Sequence, residues 1–298
     1  MTTALAVAAL TATALGACSD AKPKAAPATR TTTTQAPTPT PLVPNPLTGV
    51  LPSPIGPVIA VKIDDTAPGR PSLGLEKSDV IYIEEVEGGL TRMVAVFASA
   101  KPKVRAVRSI RASDPELLGQ YGRIIVVASG GGGSALPTLD RSSLRSSIND
   151  RGGVGFYRDR SKPSPYNLAS DLAKVSAAIK GDGVRNVGFI WADADPRLAG
   201  AKPAPSVSTR VGSTGVTFVW DAQLSRYVRT ERGQRILTAS RAPLATPNVL
   251  VPFGPVHGDR PDVDVRGTPS ASTKPAGSAR CVPFPTSTRL VSHSTGSP

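Results

Sequence analysis

Apolar and polar positions change their rhythm several times along this chain, and each rhythm predicts an element. "PVIAVKIDD", residues 57–65, is a near-continuous apolar run closed by two acids, the pattern of a buried strand. "VIYIEEVEGG" and "LTRMVAVFAS" read as two antiparallel strands joined at Gly88-Gly89. Alternation along the first places Tyr82, Glu84 and Val86 on one face and Ile83, Glu85 and Glu87 on the other. "KVRAVRSIRASD" predicts a strand running into a capped turn. "SDPELLGQYG" then predicts a short helix, with Ser113 or Asp114 as N-cap and Pro115 at the first helical position. "RIIVVASGGGGS" is a buried strand followed by a glycine run, and "SALPTLDRSSLRSSIND" reads as a helix. The strongest helical pattern is "NLASDLAKVSAAIKGDG", where Leu168, Leu172, Val175 and Ile179 share one face and Gly181 supplies the stop.

Beyond Asp195 the rhythm shortens. "SVSTRV", "GVTFVWD", "RYVRT" and "NVLVPF" are strand-length runs with no long helix among them. The fold class expected is α+β: a mixed-sheet N-terminal domain over 46–200 and a smaller strand-rich C-terminal domain over 205–256. Residues 257–298, rich in Pro, Ser, Thr and Gly without periodicity, are expected to be a disordered tail.

Before Pro46 no folding pattern exists. "ALAVAALTATALGAC" is too short for an ordinary membrane-spanning helix of about 20 residues. It reads as the apolar region of a secretory leader over residues 1–17. Leu15-Gly16-Ala17 before Cys18 has the form of a bacterial lipobox, so Cys18 is the expected lipidation site. An uncleaved anchor and an ordinary signal peptide are the alternatives. No Lys or Arg precedes Cys18, so a translation start further upstream is expected. Residues 18–45 are dominated by Thr, Pro and Ala and read as an extended tether. The expected location is the extracytoplasmic face of the cell membrane.

Charge and composition then narrow the chemistry. The 298 residues carry a formal net charge of +13, which fits an anionic partner. Export removes nucleic acid from the candidates and leaves the membrane itself, an anionic wall polymer or another envelope protein. Only two cysteines, Cys18 and Cys281, and two histidines, His257 and His293, are present. From Cys18 to Val256 there is therefore no Ser-His-Asp triad and no histidine zinc site. Carboxylate chemistry, a Ser with Lys and a hard-cation oxygen site stay open as alternatives, while no metal and no cofactor are expected.

The candidate chemistry is a set of arginines and carboxylates. Arg70 follows Asp64-Asp65, Arg92 follows the double glycine, and "VRSIR" sets Arg108 and Arg111 three apart. Guanidinium forks take carboxylate or phosphate in two parallel bonds, and Asp or Glu can hold the forks in place. Asp64, Asp65, Arg70, Glu84, Glu87, Arg92, Arg108, Arg111 and Asn167 are the expected ligand-binding residues. The same set could instead be a closed structural ion network. A carboxylate-dependent hydrolase of wall glycan would rest on Glu87 and Asp65. The "SGGGGS" run lacks the Lys-Ser/Thr of a P-loop and reads more readily as a flexible loop than as a phosphate cradle.

"NPLTG", "VIAVKIDD", "RPSLGLEKSDVIY", "VEGGLTRMVAVF", "VRSIR" and "SPYNL" follow in an order that resembles the YerB-like family of bacterial proteins, whose function is not known. The resemblance runs from about Asn45 to Val251. It implies a lipid-anchored envelope protein with an N-terminal α+β domain and a smaller C-terminal domain, and it carries no activity, ligand or catalytic residue. By position, Asp65, Arg70, Pro71, Gly74, Leu75, Asp79, Glu87, Gly88, Gly89, Thr91, Arg92, Arg108, Ser109, Arg111 and Asn167 sit in the family's motifs. The chain departs at its end, where a further strand with a Gly-Thr-Trp-like element is expected and none follows "NVLVPF". The C-terminal domain is accordingly expected to be incomplete, through truncation or a frameshift.

Overall fold

A computed structural model describes residues 42–192, 201–252 and 289–292. The leader, Cys18 and nearly all of the tether and tail lie outside the described residues. Strand β1 (Ile59–Asp64) is buried along its whole length and forms the centre of a five-stranded mixed sheet. On one side it pairs antiparallel with β3 (Thr91–Phe97), which in turn pairs antiparallel with β2 (Val80–Glu85). A 3-10 turn at Glu87–Gly89 joins these two, so the expected hairpin is present. After β3 come β4 (Lys103–Arg105) and helix α1 (Asp114–Gly119). Strand β5 (Ile125–Ala128) then pairs parallel with β1 on its other side.

Helix α2 (Ala135–Arg141) follows, but it is shorter than the helical reading of 134–150. The backbone turns extended at Ser142, whose N–H and hydroxyl both bond back to the Leu139 carbonyl, at 3.0 and 2.6 Å. Arg145–Ile148 becomes β6, a parallel edge strand against β5. A hydroxyl that competes for the last helical carbonyl ends the helix, and neighbouring strand ladders claim the rest.

The segment that reads as the best helix is also divided. Leu168–Asp171 is strand β8, which lies between β4 and β7 (Phe156–Arg158) in a three-stranded antiparallel sheet. Only Leu172–Ala178 is helical (α3). Asp171 is its N-cap, and its carboxylate accepts from the N–H groups of Ala173 and Lys174 at 3.1 and 3.3 Å. The four apolar residues still reach one core: Leu168, Leu172 and Val175 lie within it and Ile179 packs against it. "KVRAVRSIRASD" is cut short as well, because Ala106 adopts φ 63° and ends β4 after Arg105.

The central sheet divides two apolar layers. One face presents Ala60, Val94, Val96 and Val126 to Leu118 of α1 and to Ala135 and Leu139 of α2. The other presents Ile59, Val61, Ile63, Met93, Phe97 and Val127 to Val104, Leu168, Leu172 and Val175. Each fully buried aliphatic side chain is worth about 1.5–3 kcal/mol.

Strand β9 (Phe189–Ala192) pairs with the last described strand, β15 (Arg289–Ser292), so these four residues of the stretch read as a disordered tail are instead extended against β9, while β10 (Ser206–Val211), β11 (Thr214–Asp221) and β12 (Arg226–Glu231) form a second antiparallel sheet. Two short strands, β13 (Gln234–Arg235) and β14 (Ala245–Thr246), both pair with β12. No strand forms over the described part of "NVLVPF". The architecture is α+β, with one mixed sheet, antiparallel sheets and few short helices. No described helix is long and apolar enough to cross a membrane.

Candidate functional site

Strand register builds the site. Asp64 on β1, Arg92 on β3 and Glu84 on β2 lie directly opposite one another in three adjacent strands. Directly paired residues share a face, so these three form a polar row at the end of the face that packs on α1 and α2. One step inward on the same face, Lys62 lies opposite Val94, and Val94 lies opposite Tyr82. Lys62 is 2% exposed. Its ammonium donates to both oxygens of Asp114, at 2.8 and 3.0 Å, and contacts the Glu84 carboxylate. Burial pushes the Lys62 amine below its ordinary value, while Asp114 pulls it back towards the charged form. Asp114 also accepts from the N–H of Arg111, at 2.7 Å. The first residue of α1 is thereby locked to β1 and to the arginine segment.

That segment is threaded between the carboxyl ends of β1 and β5. Arg108 N–H donates to the Lys62 carbonyl and Ser129 N–H to the Arg108 carbonyl, both at 2.9 Å, and Ile110 N–H reaches Gly130 at 2.9 Å. In open sheets containing parallel strands, this carboxyl end is where ligands gather. Arg108 is held by its Nε, which donates to Asp64 Oδ2 at 2.6 Å, and by the Tyr166 ring, whose centroid lies 4.8 Å from its guanidinium carbon. Arg111 pairs with Glu87 and donates to its neighbour's carbonyl on Ile110, at 2.9 Å. Its Nε is buried without a hydrogen-bond partner.

Arg92 differs from both. Among the described residues it forms no ion pair; its Nη1 donates to the Ser109 carbonyl at 3.1 Å. The same carbonyl receives a longer bond from Arg111, at 3.4 Å. Burial first, then the positive charges of Arg111 and Arg108, hold the Arg92 guanidinium below its ordinary range, and Glu87 and Asp64 only partly offset them. The charged form is thus under electrostatic stress that an incoming anion would relieve. Glu87 is shifted down as well, but for a carboxyl that favours the charged form. Burial raises its pKa, but the Arg111 hydrogen bond, a backbone hydrogen bond and the charges of Arg111 and Arg92 together hold the carboxyl below its usual value.

The expected residues therefore separate into two groups. Asp64, Glu84, Glu87, Arg92, Arg108 and Arg111 come together. Asp65 and Arg70 instead face the second sheet. Both oxygens of Asp65 accept from Arg229, each at 2.7 Å, with the two residues 3% and 2% exposed. Asp65 also accepts from Thr91 Oγ1 at 2.7 Å and from Arg70 at 3.3 Å, and Arg70 reaches on to Glu231. Asn167 is occupied by Arg158, at 2.9 Å, although its neighbour Tyr166 stacks on Arg108.

Both Asp65 oxygens, which a hydrolase would need beside Glu87, are thus occupied by donors of Arg229, Thr91 and Arg70. The glycine run is packed only at its start: a Cβ on Gly130 would lie 2.1 Å from an Asp150 carboxylate oxygen, whereas one on Gly132 or Gly133 would meet open space. Sequence reasoning missed Lys62, Asp114 and Arg229. Lys62 had a signal, a lone cation inside an apolar run. Arg229 lies 164 positions from its partner and had none.

Comparison with known proteins adds a lineage. Residues 47–185 match a family described as "Protein of unknown function (DUF3048) N-terminal domain". The chain is 29% identical over 210 residues to "Putative lipoprotein YerB" of Bacillus subtilis, covering 65% of this chain and 61% of that protein, so the aligned region spans about three-fifths of the relative's length. The crystal structure of the YerB protein from Bacillus subtilis matches with a TM-score of 0.62 at 21% identity, over 75% of this chain and 79% of that one. This likeness extends to the fold.

Proposed function

Starting from its place among the YerB-like proteins, we propose that this chain is a lipid-anchored protein of the extracytoplasmic membrane face that binds an anionic group of the cell envelope. The observation that carries the reading is Arg92, a half-buried cation flanked by Arg108 and Arg111 and without an ion-pair partner among the described residues. Anchoring through Cys18 is supported by the lipobox and by the name of the relative. Asp64 and Glu87 act as holders: each fixes one guanidinium through one edge. An anionic oxygen entering beside Arg92 would gain charge-assisted bonds, which are about twice as strong as neutral ones. The ligand is an anionic wall polymer or an anionic surface on an envelope protein.

Co-sedimentation with purified cell-wall sacculi tests this. Arg92→Gln and Arg108→Ala should lower the bound fraction strongly, while Arg226→Ala, an exposed cation on the second sheet, should not. Wild-type protein that stays in the supernatant would remove the wall polymer. Equal losses in Arg92→Gln and Arg226→Ala would reduce the effect to unspecific charge. Glycan fragments released by wild type and lost in Glu87→Gln would favour the carboxylate-dependent hydrolase instead. The closed ion pairs at Asp65–Arg229 and Lys62–Asp114 favour a second reading, a structural assembly factor without a ligand.

A further inference from the structure

The second sheet touches the arginine cluster at two separate supports, and both act on residues that hold the arginines. The first is the end of β1. Asp64 and Asp65 are consecutive and their carboxylates engage opposite partners: Asp64 grips Arg108, and Asp65 grips Arg229 on β12 through two bonds of 2.7 Å. The second is the turn between β2 and β3. The Gly89 carbonyl accepts from the N–H of Ser213 at 2.9 Å, from its hydroxyl at 2.7 Å and from Thr214 Oγ1 at 3.4 Å. That turn carries Glu87, the holder of Arg111, and it precedes Arg92 by a few residues. Gly89 has φ 69°, and a Cβ there would lie 2.7 Å from the Ser213 hydroxyl, so the two turns are in close contact.

We infer that the second sheet sets the geometry of the anion site, with Arg229 as a positioning residue acting through Asp65 and Asp64, and Ser213 as the residue that fixes the Glu87 turn. The inference rests on the anion-site reading. A guanidinium fork specifies the angle of its carboxylate, which a lysine ammonium does not. Lysine at 229 keeps the buried charge balance while releasing that angle. Asp64 keeps its local bonds from the Thr66 N–H and hydroxyl, at 2.8 and 2.5 Å, so the loosening reaches Arg108 through the backbone at the end of β1, and an ion site loses affinity when its donors are allowed to wander.

The test compares the full chain with Arg229→Lys and Ser213→Ala. Three quantities are read: the thermal midpoint, the dissociation constant for purified sacculi, and the side-chain Nε–Hε NMR signals of Arg92 and Arg108. The expected result is a folded protein in both variants, an affinity about tenfold weaker in Arg229→Lys, and shifted or broadened arginine signals. Arg229→Lys folded, binding within twofold of wild type and with unchanged arginine signals would overturn the inference. So would an affinity loss that merely follows the unfolded fraction. If wild type does not bind sacculi, the anion-site reading fails in its wall form, and the Nε–Hε signals alone still decide whether Arg229 positions Arg108.

Discussion

Residues with the same charge play different parts here, and their partners separate the parts. Lys62 and Arg229 are buried among carboxylates and lock elements together, whereas Arg92 has no ion-pair partner among the described residues. Lys62→Met should therefore lower stability by about 3–5 kcal/mol, because it removes the cation that the buried Asp114 and the partly buried Glu84 share. Arg92→Gln should cost less than about 1 kcal/mol while weakening anion binding. Chemical denaturation of the two variants side by side checks this contrast. Glu87 gives a pH signature. Its folded pKa lies below the ordinary 4.5, so its contribution is present above that value and is lost as pH falls through the folded value. Wild type and Glu87→Gln should differ in thermal midpoint at neutral pH and converge once the pH has fallen below the depressed folded value. The carboxylate is partly exposed, so the difference at neutral pH is small.

At the scale of elements, hydrophobic spacing assigned the right faces more often than the right backbone. Leu168, Leu172, Val175 and Ile179 all reach one core, as a helical face would, yet the first belongs to a strand. A leucine at the start of β8, two residues on a helix of two turns and Ile179 just past its end can cover the same patch, so apolar spacing alone cannot separate the two arrangements. Asp171 decides the boundary by capping two N–H groups. Asp171→Ala should destabilise the protein by about 1 kcal/mol in equilibrium unfolding, whereas an aspartate inside a continuous helix would be replaced by alanine at no cost. Leu172→Ala, at the start of α3 and fully buried, should cost about 2–5 kcal/mol by the same measurement.

At the scale of the whole molecule, the second sheet and the site-bearing sheet share buried charge and apolar contacts. Ile236 and Leu244 lie in the same core as Ile63 and Met93. A protein ending after residue 200 would expose that apolar surface and leave Asp65 without Arg229. It should unfold at a clearly lower temperature than the full chain. Adding Asp65→Asn to the shortened protein should recover part of the loss, because a neutral amide costs less to bury unpaired than a carboxylate. A shortened protein as stable as the full chain, with or without Asp65→Asn, would show that the Arg229 contact contributes nothing to stability.

By itself the sequence determined the α+β class, the buried β1, the β2–β3 hairpin and three strands of the second sheet. These follow from local patterns: apolar runs, alternation, and glycines that permit the Gly88-Gly89 turn. It also named six residues of the arginine site, because unusual charges inside strand-like segments are visible in one dimension. Only the tertiary structure decided how the charges pair. Asp64 and Asp65 are identical neighbours in the sequence, but alternation along the chain sends one to Arg108 and the other to Arg229, 164 positions from Asp65. The energy of such a pair depends on distance and burial, and neither is written in the order of residues when the partner arrives from another sheet.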